Sequence, residues 1–240
     1  MLKAFIEKIE SMAAPKTYDV QGATFCNKEL REIIPHKDHA KQIKMSSLDS
    51  LCTMVRKEAD DLFMSDQIVV RVVDPTTVCV YTTLDSELDR EYLYECQADT
   101  PSFRTGTYYT HEEIIIKLRS IMIPNDDSAY LLRLLGCMSK ESKVSSMDNG
   151  VTQAVQAVSG IALAQNVEVK PIVTLRPFRT FLEVAQPESD FLLRVSDNGQ
   201  IALYEADGGV WKLEAVRSIA FYIKDKLFDL VEKGRVIVLR

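Results

Sequence analysis

Residues 68–83 read IVVRVVDPTTVCVYTT, and this stretch decides the fold class because two β-branched runs flank a turn. The runs are Ile68–Val73 and Val78–Thr83, and Val, Ile and Thr favour extended backbone. The DPTT linker contains Pro75, which presets a turn dihedral and removes a backbone donor. The pattern predicts a β-hairpin, and Glu91–Gln97 has the composition of a third strand.

Helical patterns lie on both sides of this hairpin. Thr110 and Glu113 form a T-x-x-E capping box directly before an apolar run that Pro124 closes. Ser46 with Asp49 resembles a second helix start, ahead of apolar residues spaced at three and four. The same spacing predicts three further helices, at Leu2–Ala13, Asp127–Met138 and Trp211–Glu232.

The C-terminal third of the chain adds more strand signals. Apolar and polar residues alternate over 167–176, which predicts a half-buried strand, and its interruption by Pro171 and Pro177 predicts an edge position or bulges. Phe191–Val195 and Ile201–Glu205 flank Asn198-Gly199, and an Asn-Gly pair predicts a type I′ hairpin turn. Residues 235–240 read RVIVLR and predict a strand after the last helix.

Together these signals predict an α+β fold with mixed or antiparallel sheets, packed helices, and a long C-terminal helix followed by a terminal strand. Residues 141–150 are rich in Ser, Asp, Asn and Gly, which is typical of a loop or a domain boundary. We therefore expect N-terminal (1–140) and C-terminal (141–240) α+β regions, or one continuous domain. The small residues of 151–164 fit either a strand or a tightly packed helix.

Composition excludes several classes of protein. With 46% hydrophobic and 27% charged residues, the 240-residue chain can bury a core, which argues against disorder. Its net charge of −6 opposes general attraction to nucleic acid. The apolar runs are far shorter than the roughly 20 residues that cross a bilayer, and Glu7 and Glu10 interrupt any secretory signal. Five scattered cysteines without a CxxC pair indicate reduced thiols, so we expect a cytoplasmic protein without a membrane partner.

Catalytic and metal-binding motifs are not found in the sequence. It contains no G-x-S-x-G, H-E-x-x-H, P-loop or G-x-G-x-x-G. His36 and His39 have H-x-x-H spacing, but no third or fourth ligand is evident, so we expect no metal and no cofactor. His111 follows the cap residue Thr110, which predicts a helical rather than a catalytic role. We assign no catalytic residues, and the sequence favours a non-enzymatic protein.

A cluster of basic and aromatic residues keeps a nucleic-acid interpretation open. Cations that track a backbone and aromatic rings that stack on bases are what single-stranded nucleic acid requires. Strand alternation is expected to divide the cluster between two faces. The candidate nucleic-acid-binding residues are Lys170, Arg176, Phe178, Arg179 and Arg194.

The C-terminal half also contains a set of short motifs. They are LRPFRTF at 175–181, EV at 183–184, QP at 186–187, FLLR at 191–194, EADGG at 205–209 and WKLE at 211–214. These motifs resemble the phage and prophage protein family typified by YfdQ. The resemblance implies a bacteriophage or prophage origin and a family whose biochemical role is unassigned, so it transfers no catalytic residues.

The leading hypothesis is a non-enzymatic phage accessory protein that forms a homo-oligomer in the host cytoplasm. It rests on the terminal strand, whose backbone groups can pair across subunits or within their own sheet. The predicted interface residues are Val236, Ile237, Val238 and Leu239. The alternatives are a single-stranded nucleic-acid binding factor in phage replication or recombination, and an enzyme of unfamiliar type.

Overall fold

The computed structural model describes residues 2–20, 23–26, 40–60, 67–85, 88–138, 143–148, 153–158 and 165–240. The chain divides into two compact units, Met1–His39 and Ala40–Arg240. The first unit contains helix α1 (Leu2–Ala13) and an antiparallel hairpin of β1 (Thr17–Val20) and β2 (Ala23–Cys26). Helix α1 confirms the N-terminal helix predicted from the apolar spacing.

The second unit contains the other described elements. Its helices are α2 (Leu48–Asp60), α3 (His111–Ser120), α4 (Asp126–Met138), α5 (Val210–Lys226) and α6 (Phe228–Glu232). Its strands are β3 (Ile43–Met45), β4 (Ile68–Asp74), β5 (Thr77–Thr82), β6 (Tyr92–Gln97), β7 (Tyr108–Tyr109), β8 (Met122–Ile123), β9 (Lys143–Asp148), β10 (Gln153–Val158), β11 (Gln165–Val169), β12 (Ile172–Pro177), β13 (Ser189–Val195), β14 (Ile201–Glu205) and β15 (Val236–Leu239).

The first five-stranded sheet is mixed and has the strand order β15-β4-β5-β6-β3. Strands β4, β5 and β6 are antiparallel, which confirms the hairpin and third strand predicted from residues 68–97. The two outer strands pair in parallel, β15 with β4 and β3 with β6. Helices α2, α5 and α6 contribute to its core, where Leu51, Val70, Val80 and Ile223 are fully buried.

The second five-stranded sheet is antiparallel throughout and has the order β7-β14-β13-β12-β8. Helices α3 and α4 cover one of its faces. Ile114 and Leu131 of these helices are fully buried in one cluster with Leu175, Phe191 and Leu203 of the strands. A second core therefore lies between this sheet and its own pair of helices.

The architecture confirms an α+β fold with mixed and antiparallel sheets and a terminal strand after the C-terminal helices. Each five-stranded sheet combines strands from before residue 141 with strands from after residue 150. Strand β15 joins β3–β6 in the first sheet, and β12–β14 join β7 and β8 in the second. The division of the chain at 140/141 stays a prediction.

Residues 141–150 correct one expectation. Lys143–Asp148 forms strand β9 instead of a loop, because it pairs with β10 in an antiparallel register from Gln153↔Asp148 to Val158↔Lys143. Polar composition alone missed it, since strand formation depends on a partner. The segment 151–164 was compatible with a strand or a helix, and its residues 153–158 form strand β10. Residues 151–152 and 159–164 lie outside the described residues. Strand β11 completes this three-stranded sheet. The single strand predicted over 167–176 is wrong, because β11 ends before Pro171, β12 begins after it, and the two strands belong to different sheets.

One of the two predicted helix caps is confirmed, and the other is wrong by one residue. At α3 the predicted box forms, because Thr110 Oγ1 accepts the N–H of Glu113 and Glu113 Oε2 accepts the N–H of Thr110 at 2.9 Å. At α2 the cap lies one residue after the predicted Ser46. Ser47 Oγ accepts the N–H of Ser50, which stands three residues on, as an N-cap requires.

The predicted hairpin of β13 and β14 is confirmed, but its type I′ turn is wrong. Gly199 has a φ of 73°, whereas Asn198 does not adopt the left-handed conformation that a type I′ turn requires. The N–H of Ser196 donates to Gln200 O and the N–H of Gly199 donates to Ser196 O, both at 2.9 Å. Three residues thus separate the closing pair, and a left-handed glycine at the third is common in such loops.

The long C-terminal helix is present as two segments. Helix α5 ends at Lys226 and α6 begins at Phe228, with Leu227 between them at φ −111° and ψ 23°. Leu227 is fully buried in the first core, so the break directs its side chain and that of Leu230 toward the sheet. Gly234, at φ 67°, follows α6 as predicted.

Candidate functional site

Strand β15 lies at the edge of the first sheet. It pairs in parallel with β4, in a register that runs from Val236↔Ile68 to Leu239↔Arg71. In the part of residues 40–240 that the structure describes, no strand pairs with its other side. The strand therefore pairs within its own sheet on one side only, and both possibilities raised from the sequence remain compatible with its position.

The backbone direction of β15 determines which groups face the open side. The carbonyl of Arg235 accepts the N–H of Ile68 at 2.9 Å, so the C=O of Arg235 is directed toward β4. In a parallel ladder a residue directs its N–H and C=O to one neighbour, and the next residue directs them to the other side. Ile237 therefore faces β4, while Val238 directs its N–H and C=O to the open edge.

The side chains of β15 divide between two faces. Val236 and Val238 contact the core, whereas Ile237 and Leu239 lie on the opposite face of the sheet. Leu239 is 47% exposed. The strand contains no charged residue, no proline and no bulge, which are the features that usually protect an edge from pairing.

Among the described sheet edges of residues 40–240, the other five are shorter or charged. Strands β7 and β8 have two residues each, and β3 has three residues that include Lys44. Strands β9 and β11 carry charged residues. Strand β15 is consequently the edge best suited to accept another strand.

The start of β15 is fixed by hydrogen bonds from three elements. The N–H of Arg235 donates to Leu230 O at 2.8 Å, and Arg235 Nη2 donates to Ala59 O at 2.7 Å. Gln67 Nε2 donates to Gly234 O at 2.8 Å. The edge is therefore held by α2, α6 and the residue before β4, so its position is defined by the fold.

The candidate nucleic-acid residues begin with two exposed ion pairs. Lys170 Nζ lies 2.9 Å from Asp127 Oδ1 and over the ring of Tyr130, and Arg176 Nη2 lies 2.6 Å from Glu188 Oε1. In each pair at least one of the two side chains is about half exposed to solvent, so each pair contributes little to the stability of the fold. Their charges are nonetheless largely neutralised by these carboxylates.

Arg179 is mostly buried and contacts groups from several elements. Its guanidinium lies 3.9 Å above the ring of Trp211, 3.3 Å from Glu205 Oε1, and donates to Ser189 Oγ. Burial lowers the pKa of Arg179 to about 10, and the nearby carboxylates of Glu205 and Asp207 act in the opposite direction. Only 12% of the side chain is exposed, so Arg179 serves the fold more than an outer surface.

The remaining two residues lie apart. Phe178 is half-buried after β12, where its N–H donates to Ile121 O at 2.9 Å. Arg194 is half-buried on β13, opposite Ala202. From the register of β12 and β13, Arg176 and Arg194 are offset by about 20 Å along the strands. The five residues therefore do not form one compact basic face.

The loop at 178–188 connects the two cores, and sequence reasoning missed its two polar organisers. Gln186 Oε1 accepts the N–H groups of Arg179 and Thr180, while its Nε2 donates to Phe181 O at 2.8 Å. Glu183 Oε1 accepts the N–H of Leu48 at 2.8 Å and so caps α2. No local pattern identifies these roles, because the Gln186 contacts depend on the folded path of the loop and Leu48 lies 135 residues away from Glu183 along the chain.

Apolar and hydroxyl contacts of the same loop reach the first sheet. Phe181 is fully buried, and with Val184 it joins the first core. Thr180 Oγ1 donates to Pro75 O at 2.5 Å. The RPFRTF motif at 176–181 therefore connects the second sheet to the first, so the residues of this motif have a structural role.

Three titratable residues outside these clusters, Cys52, Cys96 and His111, have structural roles. Burial raises the pKa of Cys52 to about 11 and that of Cys96 to about 12, so both thiols stay protonated at neutral pH. The His111 ring contacts Leu135 O at 2.7 Å and joins α3 to α4, in line with the helical role predicted for it. His36 and His39 lie outside the described residues.

Two features are absent from the described part of the chain. No three His, Cys, Asp or Glu side chains among the described residues cluster in a way that could hold a metal ion. No helix within the described ranges is both long and apolar enough to cross a membrane.

Comparison with known proteins gave no relatives. No protein-family model, curated protein or solved structure matches this chain.

Proposed function

We propose that the chain is a non-enzymatic accessory protein that self-associates through the open edge of β15. One observation carries this proposal: β15 has an unprotected edge, with the N–H and C=O of Val238 directed away from β4. A second copy offers the same edge, so an antiparallel pair of β15 strands around a two-fold axis is self-complementary.

The side chains favour the same arrangement. A two-fold axis perpendicular to the sheet keeps the helices of both copies on one face and extends the sheet from five strands to ten. Opposing residues then share a face, and Ile237 can lie opposite Leu239 of the second copy. In this register Val238 exchanges both backbone hydrogen bonds with Val238 of the second copy.

The proposal places this protein in the host cytoplasm during phage or prophage activity. The phage origin rests on the resemblance to the family typified by YfdQ. The cytoplasmic location rests on the composition and on the thiols, of which Cys52, Cys79 and Cys96 are free and buried.

Light scattering of two proline variants tests the association. Val238→Pro removes an N–H that faces the open edge, whereas Ile237→Pro removes one that faces β4. We expect twice the chain mass of 27.1 kDa for the unaltered protein and a folded species of 27.1 kDa for Val238→Pro. Ile237→Pro should instead lower the thermal unfolding temperature. An unaltered chain of 27.1 kDa, or a Val238→Pro chain that keeps the doubled mass, would contradict the proposal.

Binding of single-stranded nucleic acid draws less support from the geometry. Arg179 is buried over Trp211, and Lys170 and Arg176 each contact a carboxylate. Phosphate contacts require cations that are free to replace counterions. We therefore place the oligomer ahead of this alternative.

A further inference from the structure

The first sheet carries a cleft on the face that points away from α2 and α5. Strand alternation places Val69, Arg71 and Tyr81 on this face, together with Ile237 and Leu239 of β15. The cleft has a volume of about 640 Å³. Small-molecule sites fall in a range of roughly 300 to 1,000 Å³, so the cleft has the size of a ligand site.

Much of the cleft lining is apolar. Val69, Ile237 and Leu239 line it together with the ring of Tyr81. The Tyr81 ring is fixed by stacking on Tyr92, with ring centroids 4.8 Å apart and an angle of 19° between the planes. A flat or aliphatic body would therefore find a preorganised apolar surface here.

Two of the residues that line the cleft, Arg71 and Arg90, are cationic, and among the described lining residues there is no carboxylate. Arg90 Nη1 donates to Thr82 O at 3.2 Å, which positions its guanidinium at the end of β5. The backbone of Arg71 pairs with Cys79 of β5, while its side chain makes no hydrogen bond or ion pair to the described residues. Two guanidinium groups without a carboxylate form a local positive site in a chain of net charge −6.

We propose that this cleft binds a small organic anion with a flat apolar body. The anionic group lies between Arg71 and Arg90, because planar guanidinium groups bind carboxylate, sulfonate or phosphate oxygens in pairs. The body lies on Val69, Ile237 and Leu239 beside the Tyr81 ring. Two sources have this chemistry, a nucleoside monophosphate and an aromatic acid.

Isothermal titration calorimetry at low salt with two matched pairs of ligands distinguishes these sources. The pairs are AMP with adenosine, and naphthalene-2-sulfonate with 2-naphthol. We expect the anionic member of at least one pair to bind about tenfold more tightly than its uncharged partner. Selective binding of AMP indicates the nucleotide, and selective binding of the sulfonate indicates the aromatic acid. If neither anion binds, or if the uncharged members bind as tightly, the proposal is overturned.

Substitutions then assign the binding to the cleft. Arg71→Gln and Arg90→Gln should each weaken the anion by about tenfold, whereas Arg133→Gln on the exposed side of α4 should leave the affinity unchanged. Equal affinity in all three variants would place the ligand elsewhere and overturn the proposal. Thermal unfolding checks that each variant is folded. If one of the two cleft variants does not fold, the other alone tests the assignment.

The cleft does not depend on self-association. All of its lining side chains belong to one chain, and Val238 is not among them, although Ile237 and Leu239 also lie at the proposed pairing of β15 strands. The Val238→Pro chain should therefore bind the same anion, so loss of the oligomer and loss of the ligand are separate outcomes.

Discussion

Arg179 illustrates how a residue predicted for one role serves another. Its guanidinium lies against Trp211 and Glu205 with 12% of the side chain exposed. Hydrogen bonds from a charged group and a desolvated cation over an aromatic ring each contribute about 2 kcal/mol. The residue therefore contributes to the stability of the junction between β14, α5 and the loop at 178–188.

Arg179→Ala should lower the free energy of unfolding by about 3 kcal/mol. The physical reason is the loss of the cation over Trp211 and of the hydrogen bonds that its guanidinium donates to Ser189 Oγ and Pro187 O. Urea denaturation at pH 7 measures the change. Arg133→Ala, an exposed arginine on α4, is the matched control and should stay within about 0.5 kcal/mol. Equal stability of the two variants would contradict a structural role for Arg179.

The sequence predicted residue roles well where they are local. The capping box at Thr110 and Glu113 needs only three residues of chain, and it forms as predicted. The direction of the Arg179 side chain could not be predicted, because Arg179 lies beyond the end of β12 at Pro177. The ring that covers it belongs to Trp211 of α5, far along the chain. The Gln186 network is equally hidden, since it depends on the folded path of the loop.

At the scale of elements, Asp127 shows how a helix is joined to a sheet. Its Oδ2 accepts the N–H of Thr174 at 2.8 Å, and its Oδ1 accepts from Lys170 Nζ at 2.9 Å. Burial acts to raise the pKa of Asp127, but these two donors stabilise the carboxylate and leave the pKa below its ordinary value of 3.8. The carboxylate thus ties the first turn of α4 to β12.

Asp127→Asn should lower the free energy of unfolding by about 1.5 kcal/mol at pH 7. Because the folded pKa is depressed, this contribution is complete above the unfolded pKa near 3.8 and is lost as the pH falls through the folded value. Urea denaturation between pH 7 and pH 2 should therefore show the variant approaching the unaltered chain in acid. Asp126→Asn, at the neighbouring exposed position, controls for the helix start, and an identical pH profile of both variants would refute the assignment.

Elements with a strong local pattern were predictable, whereas those that need a distant partner were not. The hairpins at 68–82 and 189–205 and the helices α1 to α5 follow their periodicity. Strand β9 did not, because its polar sequence becomes a strand only by pairing with β10. The break at Leu227 also escaped prediction, since the apolar stripe continues through it and the core decides the change of direction.

For the whole molecule, sequence patterns indicated the fold class but not the strand order. The two parallel pairings, β15 with β4 and β3 with β6, join segments separated by other elements, and no local signal specifies them. The open edge and the cationic cleft both follow from these pairings. The candidate sites were therefore predictable only in part, with the residues of β15 named in advance and those of the cleft missed.

The central claim is that the Val238 N–H donates to a second copy of the chain. Hydrogen exchange of this amide, followed by nuclear magnetic resonance at several protein concentrations, tests it directly. We expect the Val238 amide to be protected at high concentration and to exchange faster on dilution, while Ile237 stays protected by β4 at every concentration. A Val238 amide that exchanges freely at all concentrations beside a protected Ile237 would contradict it.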